Sequence, residues 1–177
     1  DYVKTHKLPK PIPLKVSNVI INPDEEAKVR ATWRDSKGRK QSMYSQQWTD
    51  QKKEKKFKKM EQFGKSLIDI RGRLDKDVVG KDLKVDKVTA TIVMLSDRAY
   101  FRVGSEKYTK ENETYGVSTL LKSHVKVRGS TIEFNFPCKR KVEQQKIIAD
   151  PQIAATIKEL MKLPGERLFK ATSGSKI

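Results

Sequence analysis

The 177-residue sequence is poor in the residues on which most site chemistry depends. It has one cysteine, Cys138, and two histidines, His6 and His124. A lone thiol excludes a disulfide framework and points to a reducing compartment. These three residues lie far apart in the chain and no pair has ligand spacing, so no metal centre is expected. No P-loop and no dinucleotide glycine fingerprint occurs. No apolar run approaches the roughly 20 residues that span a bilayer. The opening "DYVKTHKLPKPIP" lacks the apolar core of a secretory signal. It also lacks an initiator methionine, which reads as a processed chain or one cut from something longer. Internal repeats and low-complexity segments are missing too.

Acidic residues are in deficit. Lys and Arg number 39 against 22 Asp and Glu, a formal charge of +17. An excess this large fits a polyanionic partner or an acidic membrane surface, with a merely lysine-rich domain as the alternative. At 36% hydrophobic the chain supports a modest core, in one ordinary domain or two small ones.

The pattern of elements is that of an α+β protein. Pro9, Pro11 and Pro13 mark an extended arm over about the first 15 residues. "VSNVIIN" (16–22), "AKVRATWRD" (27–35) and "RKQSMYS" (39–45) read as three strands of an antiparallel meander, with a turn at Asp35–Gly38. Alternation places Arg30, Arg34, Arg39 and Gln41 on one face. A helix follows, capped at Thr49–Asp50, with an apolar stripe of Phe57, Met60, Phe63, Leu67, Ile70 and Leu74. Its "KKEKKFKK" (52–59) fits a solvated face better than a phosphate-tracking one. Gly80 and its neighbours read as a hinge, giving domains 1–80 and 81–177. The second opens with a buried helix from Val85 to Phe101, capped by Asp86 and facing inward through Val88, Ile92, Leu95 and Ala99. The helix breaks at Gly104 and a polar one, "SEKYTKEN", restarts. A hairpin "VKVRGSTIEFNF" (125–136) and a third strand "VEQQKIIA" (142–149) come next. The last helix carries Asp150 at its N-cap, Pro151 at its first position, and Ile153, Ile157, Leu160 and Met161 on its buried face. "KATSGSKI" reads as a frayed end.

Catalytic constellations are scarce. His124, beside Val125, fits a packed or surface histidine rather than a general base. Cys138 has basic neighbours that favour a thiolate but no base partner. Arg102 at a helix end and Lys139 at a hairpin tip read, on pattern alone, as a helix C-cap and a solvated turn.

A resemblance raises these two residues to a different rank. "FRVGSEKYTKENETYGVSTLLKSHVKV" (101–127), "IEFNFPCKRK" (132–141), "RDSKGRKQSMYS" (34–45) and "LPGERLF" (163–169) together resemble the small type IB DNA topoisomerases of poxviruses, giant viruses and bacteria. In that pattern Arg is followed by an apolar residue and Gly, then by Tyr and a KENETxG segment. A TLxxxHV stretch and an F-x-F-x-G-K hairpin come after. The similarity runs from about Val16 to Phe169.

The resemblance implies a small N-terminal antiparallel β-sheet domain with a helix, then a mainly helical catalytic portion carrying a three-stranded sheet. It implies that Arg102 contacts the scissile phosphate and that Lys139 protonates the departing 5′ oxygen. Charged phosphoryl transition states are served by positioned cations, without a metal if enough are present. Arg39, Lys40, Gln41 and Tyr44 would approach DNA from the N-terminal domain, and Lys107, Tyr108 and Lys110 from the other. The intact enzyme would be a monomeric C-shaped clamp on duplex DNA, relaxing supercoils through a 3′-phosphotyrosyl bond. It would need no ATP, metal, small-molecule cofactor or membrane, and would sit in a bacterial cytoplasm or a viral factory or virion.

The sequence departs from the family at three places. Ser42 and Ser105 replace DNA-contacting residues of the poxvirus pattern, so poxvirus sequence preference is not carried over. The hairpin reads Pro137-Cys138-Lys139, without the usual glycine. The family's second arginine, its histidine or lysine, and its nucleophilic tyrosine have no counterpart before Ile177. None of Tyr2, Tyr44, Tyr100, Tyr108 and Tyr115 lies in the nucleophile context. The chain alone is therefore expected to be inactive in relaxation. The alternatives are a non-catalytic duplex-binding module and membrane adhesion by the lysine face of residues 52–59.

Overall fold

Asp35 organises the first sheet of the computed structural model, which describes residues 7–80 and 82–170. Its carboxylate accepts the backbone N–H groups of Lys37 and Arg39, Nε of Arg39 at 2.9 Å, and Nε2 of Gln41 at 3.1 Å. Chiefly through the Arg39 side chain, these donors hold the Asp35 carboxyl at about 2. Gly38, at φ +73°, completes the turn with its N–H on the Asp35 carbonyl. On either side stand β2 (Val29–Arg34) and β3 (Lys40–Tyr44), with β1 (Ser17–Ile21) on the other edge of β2 in an antiparallel sheet of order β1-β2-β3. Ala31, Trp33 and Met43 form its small core. The described part of the proline arm covers it, with Leu8 buried and Ile12 and Val16 packed alongside.

One strand face differs from simple alternation. A register shift between Val29 and Ala31 accompanies the burial of Arg30, 3% exposed, whose Nη1 donates to the Glu25 carbonyl at 2.8 Å. Gln41 pairs with Trp33 in register, whereas Arg34 pairs with Lys40. The exposed basic pair on the sheet is therefore Arg34 and Lys40; Gln41 is half-buried on the other side.

Helix α1 (Gln46–Asp77) begins one turn earlier than Thr49–Asp50, because Ser45 Oγ accepts the Trp48 N–H. Asp50 lies inside the helix, accepting from Gln46 and Lys53. The expected apolar stripe is not a buried one. None of the 32 residues is buried, and Phe57, Met60 and Phe63 are all more than half exposed. The helix is supported instead by i,i+4 pairs such as Glu54–Lys58 and Glu61–Lys65. Two compact units divide within it, between Ser66 and Leu67.

The second unit holds the larger core. Helix α2 (Val85–Ala99) buries Val88, Ile92, Leu95 and Ala99 as the periodicity requires, with Asp86 in its first turn rather than at the cap. Buried Lys87 donates to the Gly80 carbonyl at 2.6 Å and to Glu159 at 3.0 Å. After helix α3 (Glu106–Asn112), strands β4 (Val125–Arg128), β5 (Thr131–Cys138) and β6 (Val142–Ala149) form an antiparallel sheet of order β4-β5-β6. Ile132, Phe134 and Phe136 of β5 point into the core. Helix α4 (Pro151–Lys162) starts as its caps dictate, the Asp150 carboxylate accepting from Gln152 N and Ile153 N at 3.0 Å. The reading of residues 1–6 as arm and of 171–177 as a frayed end lies outside the described residues.

Candidate phosphate site and nucleic-acid interface

Arg102 is not a helix cap. Helix α2 stops at Ala99, with Tyr100 in the left-handed region at φ 57°. The basic residue of its last turn is Arg98, which pairs with Asp150 and Asp75. Beyond the helix, Phe101 turns inward onto Phe134 and Phe136, in edge-to-face contacts at 5.0 and 5.3 Å. That anchor leaves the next residue, Arg102, facing out.

The backbone around Arg102 is clasped by the segment after α3. The Arg102 carbonyl accepts from Val117 N at 2.8 Å, and the Val103 carbonyl from Ser118 N at 2.8 Å and Ser118 Oγ at 2.7 Å. The clasp requires two glycines. A Cβ on Gly116 would lie 2.4 Å from Gly104 N and 2.5 Å from the Arg102 carbonyl oxygen; Gly104 itself sits at φ +98°. One residue earlier, Tyr115 N donates to the Pro137 carbonyl at 2.8 Å. A short run of backbone contacts thus joins the Arg102 segment to the end of β5, where Lys139 follows Cys138.

Between β5 and β6, Cys138 pairs with Val142, leaving Lys139–Lys141 as the hairpin tip. Without a glycine, the tip places Arg140 at φ 68° and Lys141 at φ 57°. Non-glycine residues in that region cost on the order of 1 kcal/mol each. Cys138 keeps a φ of −101°, so the residue in the glycine's place needs no special conformation.

Arg102, Lys139 and Arg140 line one open cleft of about 470 Å³, together with Tyr100, Phe101, Tyr115, Gly116, Phe136, Cys138, Val142 and Gln144. No carboxylate is among the lining residues. Three cations on a cleft whose lining includes no acid favour an anion, and guanidinium forks suit a phosphate in particular. Lys107, Tyr108 and Lys110 do not line the cleft. They lie exposed together on α3. Arg39, Lys40, Gln41 and Tyr44 belong to the first unit. There Arg39 pairs with Asp35, Lys40 and Tyr44 are exposed, and Gln41 is half-buried.

His124 is a packed residue behind the cleft wall. Its Nδ1 accepts the Leu121 N–H at 3.1 Å, and its ring meets Tyr115 edge-on at 4.5 Å. Burial pushes its pKa below the ordinary histidine value; Glu143 opposes this and Arg167 adds to it. The native state therefore holds it neutral. Its contribution to stability is complete above the unfolded value of about 6.5 and is lost as pH falls below that. The urea midpoint is expected to drop between pH 7.5 and 5.5. His124→Asn, which keeps an acceptor for Leu121 N–H, should flatten that drop. An equal drop in both proteins would remove His124 as its source.

The comparisons with known proteins bear on the whole arrangement. The family described as "Eukaryotic DNA topoisomerase I, catalytic core" matches residues 38–177. This chain is a type IB DNA topoisomerase family member. The DNA topoisomerase 1B of Acanthamoeba polyphaga mimivirus is 32% identical over 162 residues, which is 92% of this chain and 48% of the viral protein. The DNA topoisomerase 1B of Vaccinia virus (strain Copenhagen) is 26% identical over 175 residues, covering 94% of this chain and 55% of the viral one. A DNA topoisomerase 1 from Mycosarcoma maydis is 32% identical over 113 residues, 11% of its own length. The chain spans about half the length of the viral relatives, and the topoisomerase family implies DNA binding.

Sequence reasoning overlooked several supports of this cleft. Arg167, in "LPGERLF", donates to the Thr119 carbonyl at 2.5 Å and to Glu106 at 2.8 Å, tying the 117–124 segment to α3. Leu168 N and Lys122 N add backbone bonds to Leu120 O and Glu166 O. The legible signal was a lone arginine directly ahead of Leu168 and Phe169, both of which are buried. Among the described residues no group of three or more His, Cys, Asp or Glu side chains could hold a metal, and no helix is long and apolar enough to cross a membrane.

Proposed function

We propose that this chain supplies the DNA-engaging N-terminal portion, residues 1–80, and the first part of the catalytic portion, residues 81–177, of a type IB topoisomerase. The intact enzyme grips duplex DNA as a C-shaped clamp. It cuts one strand through a 3′-phosphotyrosyl intermediate and reseals it without ATP or metal. Arg102 holds the scissile phosphate, Lys139 protonates the leaving 5′ oxygen, and the carboxylate-free cleft that both line is the observation that carries this reading. Arg140 adds a third cation, which favours bound phosphate. Arg39, Lys40, Gln41 and Tyr44 on one unit, and Lys107, Tyr108 and Lys110 on the other, contact the duplex. Phosphate contacts set register and base contacts add preference. The second arginine, the histidine or lysine and the nucleophilic tyrosine belong to the half of the relatives' length that this chain does not span.

The test is titration of the chain with a labelled duplex oligonucleotide over a range of salt, followed by denaturing electrophoresis. Binding is expected to weaken steeply with salt, by a slope of about 0.9 per neutralised phosphate, with no covalent adduct. A covalent adduct would mean that a nucleophile within residues 1–177 attacks DNA. Failure to bind duplex at low salt would remove the DNA-engaging role proposed for this chain.

A further inference from the structure

Cations alone carry the chemistry proposed for the cleft, yet a phenol shares it. Tyr115 lines the cleft with Arg102, Lys139 and Arg140. It fills the unspecified position of the KENETxG segment, so the resemblance gives it no role. Its hydroxyl makes no hydrogen bond among the described residues, and no carboxylate lines the cleft to accept one. Nor is that oxygen among the described side-chain atoms buried without a partner, so it is open to solvent.

Backbone and ring are both fixed. Ahead of Tyr115, Thr109 Oγ1 donates to the Thr114 carbonyl at 3.1 Å. Tyr115 N donates to the Pro137 carbonyl at 2.8 Å, two residues before Lys139. Behind it, Gly116 N donates to Thr119 Oγ1 at 3.0 Å, and Val117 N holds the Arg102 carbonyl. Tyr115 thus stands between the strand that leads to Lys139 and the clasp that holds Arg102. Its ring meets His124 edge-on, with the planes 71° apart. His124 is itself tied to the Leu121 N–H and packed beside Phe136. A ring needed only to pack on His124 could be phenylalanine. The other phenol on the cleft, Tyr100, is 83% exposed, so little packing fixes it. A donor without a protein acceptor, held in place before its ligand arrives, is the arrangement that stabilises transition-state charge.

We propose that Tyr115 is a further catalytic residue of this cleft, its phenol donating a hydrogen bond to a non-bridging oxygen of the scissile phosphate. Arg102 supplies charge to that group, and Tyr115 supplies a neutral donor of fixed direction. The bond is aimed at the charge that the phosphoryl oxygens carry in the transition state, so it acts on rate more than on affinity. The phenol keeps its proton throughout and forms no covalent bond. The proposal rests on the phosphate-cleft reading above and adds a residue which that reading does not use.

The experiment is single-turnover cleavage of a duplex oligonucleotide by the full-length protein and its Tyr115→Phe variant, at saturating enzyme. The variant is expected to cleave more slowly by about 10- to 100-fold, the range for one hydrogen bond to a charged group. Its duplex affinity and melting temperature should stay close to the parent's, because phenylalanine keeps the His124 contact. Sulfur accepts hydrogen bonds poorly, so the duplex is also made with sulfur replacing either non-bridging oxygen at the cleaved linkage. With one of the two isomers the gap between parent and variant should close. Equal cleavage rates on the all-oxygen duplex overturn the proposal and leave the roles of Arg102 and Lys139 standing. A gap that persists with both isomers, or a variant that melts well below the parent, means that the hydroxyl acts through structure, and this too overturns it. A parent that cleaves no duplex removes the catalytic reading and this proposal together.

Discussion

On the function proposed above, replacing Arg102 with alanine in the full-length protein is expected to slow strand cleavage by about 10²–10³. That is the usual loss for one preorganised donor aimed at transition-state charge. Duplex affinity should change by only about tenfold, since one charge-assisted hydrogen bond, at the low end of its range for an exposed group, contributes ~1.5 kcal/mol. The split between the two effects is the informative quantity. A group that merely attracts DNA would lower binding and leave the rate of the bound complex unchanged. Arg102→Lys keeps the charge but loses the planar fork, so it should recover only part of the rate. Single-turnover cleavage of a duplex oligonucleotide at saturating enzyme reads this directly. Matching rates for parent and Arg102→Ala would end the assignment.

The second large effect is expected at a residue with no side chain. In Gly116→Ala the new methyl would fall 2.4 Å from Gly104 N and 2.5 Å from both the Arg102 carbonyl oxygen and Gly104 Cα. All three are backbone atoms, so no rotamer change relieves the clash and the clasp must open. Overpacking of this kind costs about 1–3 kcal/mol, which for a unit of this size lowers Tm on the order of 10 °C. The hydrogen bonds from Val117 N to the Arg102 carbonyl and from Ser118 N to the Val103 carbonyl hold this segment, so on the proposed function cleavage should fall with stability. It should stay low at temperatures where the variant is fully folded. Gly72→Ala is the matched control. Gly72 lies exposed in α1 with nothing within 4 Å of its added methyl, so the change should raise stability by roughly 0.8–1 kcal/mol. Calorimetry on the three proteins tests both signs. A Gly116→Ala variant as stable and active as the parent would show that the crossing can relax without moving Arg102.

Local chemistry made much of the fold legible before any coordinates. Asp35 to Gly38 is a turn because an aspartate and a glycine stand at the two positions where side-chain acceptance and positive φ are needed. Asp150-Pro151 starts a helix because a carboxylate takes the free N–H groups and proline needs no partner. The alternating Ile132, Phe134 and Phe136 and the three-and-four spacing of Val88, Ile92, Leu95 and Ala99 name their own buried faces. The resemblance in "RVGSEKYTKENETYG" and "PCKRK" singled out Arg102 and Lys139. In each case the cause acts within a few residues, or the motif itself carries the information.

Where two local signals competed, the sequence was ambiguous. Thr49–Asp50 reads as the cap, whereas the helix starts after Ser45, one turn earlier, a residue that caps at least as well. Alternation could not foresee the register shift beside Arg30, which depends on how β2 meets β3. Nor could periodicity tell whether the Phe57–Phe63 stripe would find a partner surface, since amphipathic spacing describes a helix and not what lies against it. Tertiary structure alone decided that Arg102 and Lys139, far apart in the chain, share one cleft. Gly104 crossing Gly116 and Tyr115 N meeting the Pro137 carbonyl bring them there. Contacts between segments so distant in sequence depend on the packing of the whole unit, and no window of neighbouring residues encodes them.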